Sequence, residues 1–161
     1  MSTKIEIKPE SDRELVICRI LEAPVEAVYR AWTDPSLMIK WFTPAPWTTI
    51  HAETDVRAGG SSLIVMKGPD GTEMPNRGIY LEVVPNQKLV FTDAFTRAWV
   101  PSENAFMVVT LTFQKEGERK TRYTARAVHW TIEGRKQHEQ MGFHEGWGKA
   151  TDQLEELASK F

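Results

Sequence analysis

Toward the C-terminus a polar stretch gives way to an apolar stripe, and this switch constrains the fold more than any other feature. From Ile132 to Gln140 the chain is almost wholly polar. From Phe143 onward, Phe143, Trp147, Ala150, Leu154, Leu157 and Phe161 recur at steps of 4, 3, 4, 3 and 4. That is the spacing of one face of an α-helix. It predicts a proline-free helix of about 27 residues ending the chain, ~40 Å long. Roughly a hundred residues that read mainly as strands come before it. An amphipathic helix that follows strands needs a sheet to lie on.

The strands are read from alternation and turn residues. Residues 1–12 read as a loose lead-in. Glu14 to Glu22 (ELVICRILE) is rich in Val, Ile and Leu and reads as the first strand. Ala23-Pro24 ends it, and Pro24 suits the first turn of a helix. Val25, Val28, Tyr29 and Trp32 then mark a short amphipathic helix. Asp34 caps a second helix with Pro35 at its first position and Leu37, Met38, Trp41 and Phe42 on its apolar side. Further strands are expected over Trp47–Val56, Ser61–Lys67, Asn76–Val84, Lys88–Phe95, Ala105–Gln114 and Lys120–Trp130. The turns between them carry Gly59-Gly60, Gly68-Pro69-Asp70-Gly71 and Pro85-Asn86. Thr96–Asn104 reads as a looser connection. Short turns imply antiparallel neighbours. The expected fold class is therefore α+β, in one domain over residues 1–161: a curved antiparallel sheet of about seven strands gripping a long C-terminal helix.

Composition narrows the function classes. The chain has 161 residues, 41% hydrophobic and 26% charged, with a net charge of −2, an ordinary globular balance. No basic block is present to carry sequence-independent nucleic-acid binding. Cys18 is the single cysteine, which excludes an internal disulfide and a CxxC metal site. The start, MSTKIEIKPESDRE, lacks the apolar core of a signal peptide, and no run has the length of a membrane span. The expectation is a cytoplasmic protein.

No catalytic constellation is legible. His138-Glu139 and His144-Glu145 place the histidines six apart, roughly 600° around a helix, whereas an H-E-x-x-H zinc helix needs them four apart on one face. No metal is therefore expected. His51 and Glu53 share a parity with Thr49 and Asp55, which reads as a solvent-facing polar strand face. His129 shares a face with Tyr123, Ala125 and Ala127, and either lines a cavity or is a hydrogen-bonded core histidine. Cys18, in a Val/Ile-rich strand, reads as a buried inert thiol. G-x-S-x-G, G-x-G-x-x-G and P-loop patterns are all missing, so no cofactor is expected. Arg19, Arg77 and Arg126 lie within strands, where one turned inward would hold a ligand carboxylate. Trp41, Phe42 and Trp47 cluster around the small helices, while Met66, Met74, Met107 and Met141 suit either an adaptable pocket or plain core.

Several segments, in order, carry a family resemblance. They are Arg19-Ile20-Leu21-Glu22-Ala23-Pro24, Ala31-Trp32-Thr33-Asp34-Pro35 with Trp41-Phe42, and Asp55-Val56-Arg57-Ala58-Gly59-Gly60. Gly78-Ile79-Tyr80-Leu81-Glu82-Val83-Val84-Pro85, Leu89-Val90-Phe91-Thr92 and Met141-Gly142-Phe143-His144-Glu145-Gly146-Trp147 complete the set. On these the chain resembles the SRPBCC/START-like helix-grip superfamily. Within it, the chain is similar to the group named after the C-terminal domain of activator of heat-shock-protein-90 ATPase homologues. The resemblance implies a deep, largely apolar cavity beneath the long helix. Relatives bind lipids, sterols and polyketides, some cyclise or hydrate them, and one branch stimulates a chaperone. The expected function is thus a carrier or sensor for a small apolar ligand. Its candidate binding residues are Trp41, Phe42, Trp47, Met66, Tyr80, Met141, Phe143 and Trp147. A cyclase, dehydratase or hydrolase acting on a bulky apolar substrate is one alternative, and a chaperone-ATPase-activating interaction module is another. A homodimer stays open.

Overall fold

The computed structural model describes residues 3–161; Met1 and Ser2 lie outside the described residues. Two short strands open the chain, β1 (Thr3–Ile5) and β2 (Glu14–Leu21). Helices α1 (Val25–Thr33) and α2 (Pro35–Trp41) follow. Then come β3 (Thr48–Thr54), β4 (Ser61–Lys67), β5 (Glu73–Val84), β6 (Lys88–Thr92), β7 (Phe95–Arg97), β8 (Val100–Pro101), β9 (Met107–Gly117) and β10 (Lys120–His129). Helices α3 (Ile132–Gln140) and α4 (Phe143–Ala158) close it.

The main sheet has eight strands in the order β1-β2-β10-β9-β6-β5-β4-β3, every neighbour antiparallel. Register shifts between Thr49 and His51 and between Tyr80 and Glu82 mark bulges. A bulge bends its strand and increases the local twist. The helices pack on one side, where Leu15 and Leu21 of β2, Val109, Leu111 and Phe113 of β9, and Tyr123, Ala125 and Ala127 of β10 are buried. These positions alternate along each strand, as a sheet with one face on the core requires. Tyr123 pairs with Phe113 and Ala125 with Leu111, so the buried rows run straight across the ladder.

The small helices start and stop as their residues dictate. Pro24 precedes α1 as its extended N-cap, one position earlier than the sequence suggested. The Asp34 side chain accepts from the Ser36 N–H at 2.9 Å and caps α2, with Pro35 in its first turn. The Ser36 hydroxyl and N–H hold the Asp34 carboxyl below its ordinary range, with smaller help from Arg30. Thr121 on β10 donates to the Ala23 carbonyl at 2.8 Å and pins the β2–α1 junction.

Three expectations need correction. The C-terminal helix is not one rod of about 27 residues. It breaks at Met141-Gly142 into a polar nine-residue α3 and a sixteen-residue α4. Gly142 takes φ +93°, a left-handed conformation that ordinary side chains avoid. Second, the lead-in is not wholly loose: Thr3, Lys4 and Ile5 pair with Ile20, Arg19 and Cys18 and add an eighth strand. Third, the connection at Thr96–Asn104 carries a two-stranded ribbon, β7–β8. It starts because β6 ends early at Thr92. Asp93 Oδ1 accepts from the N–H groups of Phe106 and Met107 at 2.8 and 3.1 Å, and Thr92 Oγ1 donates to the Met107 carbonyl at 2.8 Å. Such side-chain bonds to the backbone compete with a regular ladder.

Helix α4 is clamped along one side. Arg19 Nη1 meets Asp152 Oδ1 at 2.6 Å and the Glu22 N–H donates to Glu155 Oε2 at 2.8 Å. Gln153 Nε2 donates to the Trp41 and Thr43 carbonyls at 2.8 and 2.9 Å, and its Oε1 accepts from the Ala45 N–H at 3.0 Å. The clamp turns the apolar stripe. Phe143 and Leu154 are buried, Trp147, Ala150 and Leu157 only partly, and Phe161 is exposed.

Candidate functional site

Besides Tyr29, Phe113 and Tyr123, two groups of rings occupy the helix side of the sheet. Trp32 on α1 centres the first, with ring centroids 4.8 Å from Trp41, 5.7 Å from Phe42 and 5.8 Å from Phe91 on β6. The Trp41 indole donates to the Ala31 carbonyl at 2.9 Å, which fixes α2 against α1. The second group gathers at the α3–α4 break. There Phe143 lies 5.4 Å from Trp147 and 5.1 Å from His138, and Phe106 lies 5.1 Å from His129.

Between these groups the core is incompletely covered. Phe42, Phe91, Met107 and Trp147 pack on the core yet remain half-buried. Phe91 touches Trp32 and therefore faces the helices. Met107 pairs with buried His129 and shares parity with buried Val109 and Leu111, so it faces the same way. The same alternation extends to β4 and β5. Ile64 is in the core cluster and pairs with Asn76, which puts Met66 and its partner Met74 on the concave face as well. Met66 is half-buried and Met74 is 46% exposed, because this hairpin runs past the helices. Apolar side chains on a concave face, partly open to solvent, are the raw material of an apolar ligand site.

The sequence-derived candidates divide accordingly. Trp41 and Tyr80 are buried, Phe42 is half-buried beside Trp41, and Phe143 is buried against half-buried Trp147. Trp47 is half-buried over Gly68, at the far end of β4. Met141 stands at the helix break, 69% exposed. Trp41–Phe42 and Phe143–Trp147 belong to separate ring groups. Phe91 and Met107 were not singled out as a pair by the sequence. Their residue types are unremarkable in a strand, and parity does not say which face will be concave.

Residues 22–159 match the family described as Activator of Hsp90 ATPase homolog 1-like protein. The chain belongs to this family. A Nitrosomonas europaea protein of known structure is 40% identical, covers 94% of this chain and 97% of its own, and superposes with a TM-score of 0.90. Proteins from Mycobacterium smegmatis (25% identical, 96% of each chain, TM-score 0.76) and Arthrobacter aurescens (24% identical, 96% and 91%, TM-score 0.81) share the fold. No curated protein matches the chain. The helix-grip architecture, an antiparallel sheet closed by a C-terminal helix, is therefore that of the Hsp90-ATPase-activator-like family and its neighbours.

The polar groups of this family member are mostly engaged with one another. Of the three arginines singled out in the sequence, Arg19 is the one turned toward α4, and Asp152 and the Gly148 carbonyl already hold it. Arg126 binds Glu14 at 2.7 Å and Arg77 is exposed. His51 and Glu53 form an exposed pair at 2.7 Å. His129 is a core histidine. It is fully buried, with Nδ1 at 2.9 Å from the Arg13 carbonyl and Nε2 at 2.8 Å from His138 Nδ1. Cys18 is buried on the other face, where Thr124 donates to its sulfur. Among the described residues no group of three or more His, Cys, Asp or Glu is placed to hold a metal, and no helix is long and apolar enough to cross a membrane. Two open clefts, of about 680 and 490 Å³, lie against the β1–β2 edge, where charged residues such as Glu14, Arg19, Glu139 and Asp152 share the lining with apolar ones such as Ile5, Leu15 and Ile17. Neither includes an aromatic candidate residue.

Proposed function

We propose that the protein binds a small apolar ligand, lipid-, sterol- or polyketide-like, between the sheet and α4, as a carrier or sensor. The half-buried concave set of Phe42, Met66, Phe91, Met107 and Trp147 carries this reading. These side chains remain partly wet, whereas Trp41, Tyr80, Leu111 and Phe143 are buried. Covering them gains roughly 25 cal/mol for each Å² of apolar area removed from water. Trp41, Tyr80 and Phe143 form the rigid wall behind them, with Trp47 and Met141 at the margins. Family membership and the shared fold support the reading.

Native mass spectrometry of freshly purified protein tests it by detecting a co-purifying apolar molecule. A solvatochromic dye titration provides the second arm, in which Phe42→Ala or Trp147→Ala is expected to change the affinity. Absence of both a retained molecule and saturable dye binding would falsify the carrier reading. The family's description also favours a second reading, a protein-interaction module that stimulates a chaperone ATPase. Stimulation of a purified chaperone's ATPase rate, unaffected by Trp147→Ala, would favour that reading over the carrier.

A further inference from the structure

Helix α3 is held over the rings at the helix break by very little. It is nine residues long and buries none of them. A helix that short is marginal in water on its own, and one that is polar all round gains little from packing. Its one aliphatic side chain, Ile132, is exposed. Its contacts are polar and few. Thr131 caps the first turn by accepting from the Gly134 N–H at 2.9 Å, Arg135 Nε donates to the Asp12 carbonyl at 2.8 Å, and His138 Nδ1 meets His129 Nε2 at 2.8 Å. Glu139 reaches across the break to His144 at 3.9 Å. Both ends lie outside the core: Trp130 before α3 and Met141 after it are exposed, and the left-handed Gly142 follows.

What α3 covers is apolar. The His138 ring plugs the second ring group, 5.0 Å from Phe106 and 5.1 Å from Phe143. Phe143 lies against Trp147, and Phe106 precedes Met107, so the plugged group runs into the half-buried concave surface. On its outer side α3 borders the open cleft of about 680 Å³, whose wall includes Arg135, Glu139 and His144. The helix therefore stands between open space and the rings, with room to leave them.

We propose that α3 is a lid, and that its opening admits the apolar ligand at the Phe143–Trp147 end of the concave surface. The inference rests on the apolar-ligand reading above and adds the route of entry. Breaking the contacts of Arg135 and His138 releases the helix, which loses its turns once it is off the sheet. Helix α4 does not follow, because Asp152 and Glu155 tie it to β2 and Gln153 ties it to Trp41, Thr43 and Ala45. Lids are drawn from the parts of a fold with few buried apolar contacts, and α3 has that character beside a well-buried neighbour.

Hydrogen exchange on the unaltered protein tests the lid, and a dye tests the entry. The amides of residues 135–141 should exchange together, through an opening roughly tenfold or more as frequent as the one that exposes Leu154 on α4 or Tyr123 on β10, and insensitive to low urea. If they exchange only with α4 and β10, in the global unfolding event, there is no lid. The dye is Nile red, a neutral apolar fluorophore, mixed by stopped flow. Arg135 faces the cleft and not the rings. Arg135→Met should therefore leave Kd within about twofold while raising the association and dissociation rate constants together, about fivefold. A general loss of stability would not do this. Asp152→Asn, which loosens α4 instead, should leave both rates within about twofold of native. Equal rates in Arg135→Met and the native protein would overturn the proposal and leave the apolar site standing. If Nile red does not bind the native protein, the apolar-ligand reading fails and the entry route with it, whatever the exchange shows. Should Arg135→Met not fold, Thr131→Ala removes the cap of α3 instead and carries the same expectation.

Discussion

His138 shows how a single residue reports its surroundings. The Arg13 carbonyl can only accept, so His129 Nδ1 carries the proton and His129 Nε2 accepts from His138 Nδ1–H. Burial, and then the neighbouring His129, lower the His138 pKa from 6.5 to about 4. Between these values the unfolded chain binds more protons than the folded one. The contribution of His138 to stability is therefore fully present above the unfolded pKa and is lost as pH drops toward the folded pKa. Urea unfolding at several pH values should show this slope, and His138→Asn, which keeps a donor and removes the titration, should flatten it. An unchanged slope in that variant would show that other groups carry the acid sensitivity. Leu154, fully buried on α4, sets a different residue-level expectation. Leu154→Ala should cost about 2–5 kcal/mol by transfer and cavity terms together, and a loss near zero would mean that α4 is loosely held.

At the scale of elements, the α3–α4 break makes opposite predictions from a continuous helix. In a continuous helix an interior Gly→Ala change stabilises by up to about 1 kcal/mol. At Gly142, with φ +93°, Gly142→Ala should instead destabilise by about 1–2 kcal/mol, readable as a lower urea midpoint. The sequence showed the break only as the change from polar to apolar residues at Gln140–Phe143. Gly142, Gly146 and Gly148 look alike in a helical pattern, and only the docking of Phe143 under His138 distinguishes the first. Strands β9 and β10 were legible because their alternation is local. β1 was not, since three residues carry no period and become a strand only by pairing with Ile20, Arg19 and Cys18 far along the chain. β7 and β8 were hidden for a similar reason, because Asp93 ends β6 through bonds to Phe106 and Met107. The candidate site was half legible. Residue type pointed to Trp41, Phe42 and Trp147, but the partial exposure of Phe91 and Met107 is set by how the helices pack across the sheet.

At the scale of the whole molecule, the fold separates a clamped side from an uncovered one. The contacts of Arg19 with Asp152 and of Glu22 with Glu155 fix α4 over β2. Trp147 on the same helix is left half-buried near the open surface. Stability and binding should therefore respond to different residues. An apolar dye that binds only the folded protein, present at about a hundred times its Kd, should stabilise it by roughly 2.7 kcal/mol. For a chain of this size that is a rise of roughly 5–10 °C in Tm. Asp152→Asn removes the charged half of the Arg19–Asp152 pair and should lower Tm with or without dye, by an amount equivalent to about 1–2 kcal/mol given Asp152's exposure. The dye-dependent rise should survive that change. Trp147→Ala should act the other way, shrinking the dye-dependent rise by more than it lowers the ligand-free Tm. If both substitutions reduce the rise alike, the dye reads overall compactness and the concave surface is no distinct site. If only Trp147→Ala does so, the clamp holds the fold while the uncovered side of the same helix holds the ligand.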